Sequence, residues 1–193
     1  YCLSPLEGQR KECPFCGKSL ENLNPPGTLP FAYLLGSRYT IGKVLQVDGE
    51  GILYAAVENV SGFRVNIKEY LPVTLSSGRD ENLIVHPKPD SEVLFKTTRM
   101  DFADLYKTVQ RITPATGLVA VLDVLEANDT VYAVLEVTQG IPLERYLALR
   151  SGPLLPEEAR SLMQPVMEGV AALHKIGLVH RGVAPDNIRI TEG

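Results

Sequence analysis

His180-Arg181-Gly182-Val183-Ala184-Pro185-Asp186-Asn187-Ile188 is the stretch on which the reading of this chain turns. Its Gly and Pro mark it as a loop, and its neighbours place that loop between a long helix and a short strand. Upstream, Pro156-Glu157-Glu158 opens a helix with proline and acids where a helix N-terminus favours them. Gly177 closes the helix, and Leu162, Val166, Val170 and Leu173 form its apolar stripe. Pro165 is expected to kink it or perturb one turn, and His174 reads as a packed helix residue and not a ligand. Downstream, Ile188-Arg189-Ile190 is expected as a strand, and Leu143 to Leu149 as a short helix before the long one.

Length and composition bound the rest. With 193 residues, 45% of them hydrophobic, the chain can bury a real core. A net charge of −4 without a long basic run argues against nucleic acid as a partner. The best apolar run, Gly117 to Leu125, is short and interrupted by Asp123, so no membrane segment is expected. The chain opens on Tyr1-Cys2 with neither an initiator Met nor a leader, and both ends are expected to continue. Cys13-Pro14-Phe15-Cys16-Gly17 is a C-x-x-C knuckle able to grip a zinc ion from a tight turn, with Cys2 as a third thiolate. It resembles a partial zinc ribbon, with a redox pair or free thiols as the alternatives. Asn24-Pro25-Pro26-Gly27-Thr28-Leu29-Pro30 has the composition of a stiff, extended linker and marks a domain boundary.

Beyond that boundary, Tyr39 to Leu45, Ile52 to Val57 and Arg64 to Tyr70 alternate as strands do. Leu118 to Glu126 and Val131 to Val137, joined by Ala127-Asn128-Asp129-Thr130, make a hairpin that completes five antiparallel strands. Leu71 to Glu92 reads as a long loop. Asp101 to Ile112 sets Phe102, Leu105, Val109 and Ile112 on one face of a helix ended by Thr113-Pro114, with Leu105 as a core residue.

Set in this order, the motifs are familiar. The opening stretch matches the kinase loop H-R-D-x-x-x-x-N at His180, Arg181 and Asn187, with Gly182 in place of the aspartate base. Val65-Asn66-Ile67-Lys68 resembles the V-A-I-K strand, and Gln46-Val47-Asp48-Gly49-Glu50-Gly51 lies where the glycine-rich loop belongs. Tyr39 to Gly193 thus resembles the N-lobe and the first part of the C-lobe of a bacterial eukaryotic-like Ser/Thr protein kinase. The implied fold is α+β: a five-stranded antiparallel N-lobe sheet with one packed helix, then the first helices of a truncated helical C-lobe. The implied divisions are 1–22 for the partial ribbon, 23–36 for the Pro-rich linker and 37–193 for the kinase-like domain. Within the last, the N-lobe is 37–137, the hinge 138–141 and the partial C-lobe 142–193.

The resemblance implies roles residue by residue. Lys68 would meet the α/β-phosphates of Mg-ATP, Gly49 and Gly51 would cover them, and Asn187 would hold magnesium. Glu136 and Thr138 flank a hinge whose backbone would meet adenine, and His180 and Arg181 frame the loop. Departures stand at Gln46, Asp48, Asn66, Leu105, Gly182, Ala184 and Arg189. Asp48 would repel phosphate, Asn66 would replace a small apolar adenine contact, and Arg189, in place of an apolar floor, would point to water. Leu105 would stand where the family places the glutamate partner of the lysine, with Asp104 as a partial substitute if the helix rotates. Two readings follow: a pseudokinase acting as a binding or regulatory module with weak or no ATP binding, or an active Ser/Thr kinase with an atypical catalytic loop. The first implies protein partners. The family further implies a cytoplasmic location or the cytoplasmic face of a membrane, with an anchor after Gly193 in many members. The Asp-Phe-Gly aspartate would also fall after Gly193, and the long helix is expected to expose apolar surface meant for later helices.

Overall fold

The computed structural model describes residues 11–15, 17, 19, 24–115 and 117–191. The chain divides into two compact units: Tyr1–Thr108 with Val121–Glu136, and Val109–Ala120 with Val137–Gly193. Around Cys13 the chain turns tightly, the Gly17 N–H donating to the Cys13 carbonyl at 2.8 Å while Glu12 and Ser19 bridge antiparallel. Cys13 is buried. Cys2 and Cys16 lie outside the described residues, and among the described residues no three His, Cys, Asp or Glu side chains cluster as metal ligands would.

The first unit is built on an antiparallel sheet. Its strands are β1 (Leu34–Leu35), β2 (Tyr39–Val47), β3 (Gly51–Glu58), β4 (Arg64–Tyr70), and, after an insertion and a helix, β7 (Val121–Ala127) and β8 (Thr130–Glu136). They run in the order β1-β2-β3-β4-β8-β7, so the five strands read from the alternation are present and a two-residue strand is added at one edge. Because side chains alternate faces, Ile52, Tyr54 and Ala56 share a buried face with Val65 and Ile67, and with Tyr132 and Val134 across the register. The sheet curls until its far strands meet. Arg38 donates to Asp123 at 3.0 Å, the Tyr39 hydroxyl donates to the same carboxylate at 3.1 Å, and the Tyr33 hydroxyl reaches Asn128 at 3.1 Å.

Two segments depart from the sequence expectation by packing on this sheet. The Pro-rich stretch is docked and is not a free, extended linker: Leu29 and Leu35 are fully buried. The Asn24 side chain binds the Leu29 and Gly42 carbonyls at 2.8 and 2.9 Å and accepts the Val44 N–H at 2.9 Å, while the Leu29 N–H donates to the Tyr54 hydroxyl at 3.0 Å. The expected loop after Tyr70 contains a small hairpin, β5 (Ser76–Arg79) and β6 (Val85–Pro87), too short and too rich in Ser and Gly to show alternation. Its Arg79 forms an ion pair with the fully buried Glu69, which also accepts the Tyr54 hydroxyl at 2.9 Å. Unpaired, either charge would be costly at that depth.

Helix α1 spans Glu92–Gln110 and so begins nine residues before the expected Asp101. The polar Lys96-Thr97-Thr98 stretch hid its first half. Thr97 and Thr98 satisfy their hydroxyls on the Val93 and Leu94 carbonyls at 2.9 and 2.7 Å, a bond available only inside a helix turn. The buried face is Phe95, Phe102 and Ala103, with Tyr70 of β4 lying 5.5 Å from the Phe95 ring and 5.4 Å from the Phe102 ring. Leu105 is not a core residue: it is 40% exposed, and Ile112 lies past the helix end.

The second unit holds a two-stranded ladder, β9 (Ile141–Pro142) and β10 (Arg189–Ile190), and the helices α2 (Leu143–Ala148) and α3 (Pro156–Lys175). Glu158 reaches back to the Leu155 N–H at 2.8 Å and pairs with Arg150 at 2.9 Å, fixing the start of α3. Helix α3 continues through Pro165. Gly117 lies so close to the Pro165 carbonyl that an added Cβ would sit 1.9 Å from its oxygen. Gly169 and Leu173 are buried, Leu162, Val166 and Val170 are half-buried, and Met167 is 55% exposed. His174, expected to pack, is exposed.

Candidate functional site

The two groups of site residues named from the sequence belong to different units. In the first, β4 presents Lys68 opposite Leu53 of β3 and Ala133 of β8, on the face that Tyr70 uses to meet α1. Only 10% of the Lys68 side chain is exposed. Its ammonium lies 2.5 Å from Asp48 and 3.9 Å from Glu50, both in the turn between β2 and β3. Glu69, next in sequence, faces the opposite side and belongs to Arg79. At the positions where the resemblance places a helix-borne partner for the lysine, Leu105 is 40% exposed and Asp104 is exposed, while the rings of Phe102 and Tyr106 meet at a tilt with centroids 4.6 Å apart. Burial, then the Glu50 and Asp48 carboxylates, push the Tyr106 phenol up.

Asp48 does more than neutralise Lys68. Its other carboxylate oxygen accepts the Glu50 and Gly51 N–H groups, each at 3.0 Å, and its own N–H donates to the Gly51 carbonyl at 2.9 Å. Burial alone would raise the Asp48 carboxyl, but the Lys68 hydrogen bond and those amides together hold it below the ordinary carboxylate value. Sequence reasoning saw only a charge that would repel phosphate. The signal it missed was the pair of acids flanking Gly49, spaced to close on a lysine across the hairpin. Gly51 also has a purpose other than ligand approach. A Cβ there would lie 1.8 Å from the Glu69 carbonyl oxygen, so the β4 backbone requires the glycine, whereas a Cβ on Gly49 would meet nothing within 4 Å. As placed, the Asp48 carboxylate engages both the Lys68 ammonium and the amides of the turn, the groups that the phosphates of Mg-ATP would need. Asn66, expected from the resemblance to face adenine, is half-buried between Ala55 and Leu135.

In the second unit the loop ahead of Ile188 is held from both sides. The α2 N-terminus donates from Leu143 to the Ile188 carbonyl at 2.8 Å and from Glu144 to the Pro185 carbonyl at 3.3 Å. Within the loop, Asn187 donates through its side-chain amide to the Gly182 carbonyl at 3.0 Å, and the Gly182 N–H donates to His180 Nδ1 at 3.2 Å. Arg181 adopts a left-handed φ of 57°, turning the chain so that its neighbours converge. Gly182 needs no such freedom. A Cβ there would meet Asn187 at 3.6 Å and His180 at 3.7 Å, ordinary contact distances. Thr138 and Gly140 lead into β9, where Gly140 has a φ of 93° and would clash with the Ile190 carbonyl if it carried a Cβ. Glu136, at the end of β8, is exposed. Arg189 does not point to water alone: its guanidinium donates to the Gly140 carbonyl at 3.3 Å.

Comparison with known proteins agrees with this geometry. The protein kinase domain model matches residues 95–193, just over half of the chain. The serine/threonine-protein kinase PrkC of Bacillus subtilis is 31% identical over 110 residues, covering 52% of this chain and 17% of that protein. The serine/threonine-protein kinase pkn2 of Myxococcus xanthus is 33% identical over 166 residues, covering 84% of this chain and 17% of that protein. The chain thus spans less than a fifth of the length of these relatives. Among solved structures, the PpkA-294 apo form superposes with a TM-score of 0.73 at 26% identity, covering 86% of this chain and 58% of that one. The Mycobacterium tuberculosis PknI kinase domain, at 19% identity and a TM-score of 0.61, shares the fold. Among the described residues no helix is long and apolar enough to cross a membrane. The curled sheet with its packed helix, the lysine strand, the ordered loop at His180 and these matches agree: the chain belongs to the protein kinase domain family, of the bacterial serine/threonine kinase type.

Proposed function

We propose that this chain is a pseudokinase module: a kinase-shaped element that acts by binding or regulating protein partners and does not transfer phosphate itself. The observation that carries this reading is Gly182 in an otherwise kept loop. Asn187, His180 and Arg181 hold the backbone in place, yet no side chain exists at the position where the family's proton acceptor would sit. The loss is chemical and not steric, since a Cβ would fit. A hydroxyl attacking a phosphoryl group needs its proton removed and its oxygen positioned, and general-base assistance of that kind contributes about 10²–10⁴-fold in rate. Ala184 gives no cation to the transferred group, and Lys68 is already paired with Asp48.

The test is transfer of labelled γ-phosphate from Mg-ATP to generic protein substrates by the full-length protein. The expected result is no transfer above the level of its Lys68→Ala variant. Turnover that Lys68→Ala abolishes would instead make it an active kinase with another base.

A further inference from the structure

The contact between Asp48 and Lys68 completes an anion site from within. A polyphosphate approaching Lys68 would look for the ammonium and for free backbone amides in the turn between β2 and β3, as anions do at backbone concavities. The Asp48 carboxylate takes both. One oxygen lies 2.5 Å from the Lys68 ammonium and the other accepts the Glu50 and Gly51 amides at 3.0 Å. Glu50 adds a second negative charge 3.9 Å from the same ammonium. The turn is also braced: the Leu71 N–H donates to the Glu50 carbonyl at 3.0 Å, and Gly51 packs directly on the β4 backbone.

We propose that Asp48 is a built-in stand-in for phosphate, an autoinhibitory latch that fills the Lys68 site and excludes polyphosphates until the turn is drawn away. The inference rests on the assignment of Lys68 as the phosphate-facing lysine of the kinase fold. It deepens the pseudokinase reading by naming what occupies the site. Displacement by an anion must break one ion pair and two hydrogen bonds and bring like charge towards Glu50. Removing the Asp48 charge alone should therefore open the site.

Calorimetric titration with inorganic tripolyphosphate tests this on the wild type, Asp48→Asn, and Asp48→Asn combined with Lys68→Ala. The carboxamide introduced by Asp48→Asn keeps an oxygen for the two backbone amides, so the turn has reason to persist, and circular dichroism checks that each variant is folded. The expected result is at least about tenfold tighter binding in Asp48→Asn, equivalent to about 1.4 kcal/mol, with the gain removed by Lys68→Ala. Equal binding by wild type and a folded Asp48→Asn overturns the latch, as does a gain that survives Lys68→Ala. Should Asp48→Asn not fold, Glu50→Gln takes its place with a smaller gain expected, and no gain again overturns the proposal. Lys68-dependent phosphate transfer by the wild type would overturn the latch together with the non-catalytic reading, because it requires a polyphosphate at Lys68. A flat tripolyphosphate series would defeat the latch and leave the argument from Gly182 untouched.

Discussion

Gly49 and Gly51 show how one residue type can serve two ends. Both lie in the stretch that the resemblance assigns to phosphate binding, Gly49 in the turn and Gly51 at the start of β3, but only Gly51 is forced by its surroundings, its missing Cβ clearing the Glu69 carbonyl. Gly51→Ala is expected to destabilise the first unit by about 3 kcal/mol, whereas Gly49→Ala should stay within about 0.5 kcal/mol. Denaturant midpoints for the two variants check this, and equal midpoints would refute the steric account. A second residue-scale expectation concerns Glu58, held at about 2 from an ordinary value of 4.5 by the Ser61 hydroxyl, the Ser61 N–H and then Arg38. A depressed carboxyl contributes stability above its unfolded value and loses it as pH falls towards its folded one. Melting temperature should therefore drop between about pH 4.5 and 2, more shallowly in Glu58→Gln. Parallel acid limbs would count against it.

At the scale of the element, helix α1 separates what a pattern can tell from what packing decides. Phe102 was legible as a core position from its spacing, and the structure buries it against Tyr70 and Tyr106. Leu105 matched the same stripe and faces water, because the helix starts at Glu92 and Phe95 sets the rotation of its contact face. Phe102→Ala should cost about 3–5 kcal/mol, and Leu105→Ala about 0.5 kcal/mol or less. Urea unfolding of both distinguishes this rotation from the one read off the sequence, which predicts comparable losses. The docked Pro-rich segment was illegible for a related reason. Composition reports that a stretch cannot form a helix or a long strand, but not whether a single Leu29 will find a cavity in a curled sheet.

For the molecule as a whole, the buried residues concentrate in the first unit. Ile41, Tyr54, Ala56, Ile67, Tyr132 and Val134 are sealed in the sheet, whereas α3 buries only Gly169 and Leu173 along its length. Regions with few buried contacts open at lower free energy. Hydrogen exchange on this chain should show β3, β4 and β8 amides protected at least about tenfold more than those of α3, and equal protection would contradict it. By itself, the sequence determined the family. Strand alternation, the Lys68 strand and the spacing of His180, Arg181 and Asn187 are local patterns that survive without neighbours, and so does the missing side chain at Gly182, which is a matter of composition. Tertiary structure alone decided which side chains meet. Asp48 closes on Lys68, Arg79 on Glu69 and Leu29 on the sheet because the curled backbone brings distant segments within hydrogen-bonding or van der Waals reach. Sequence distance carries no trace of that proximity.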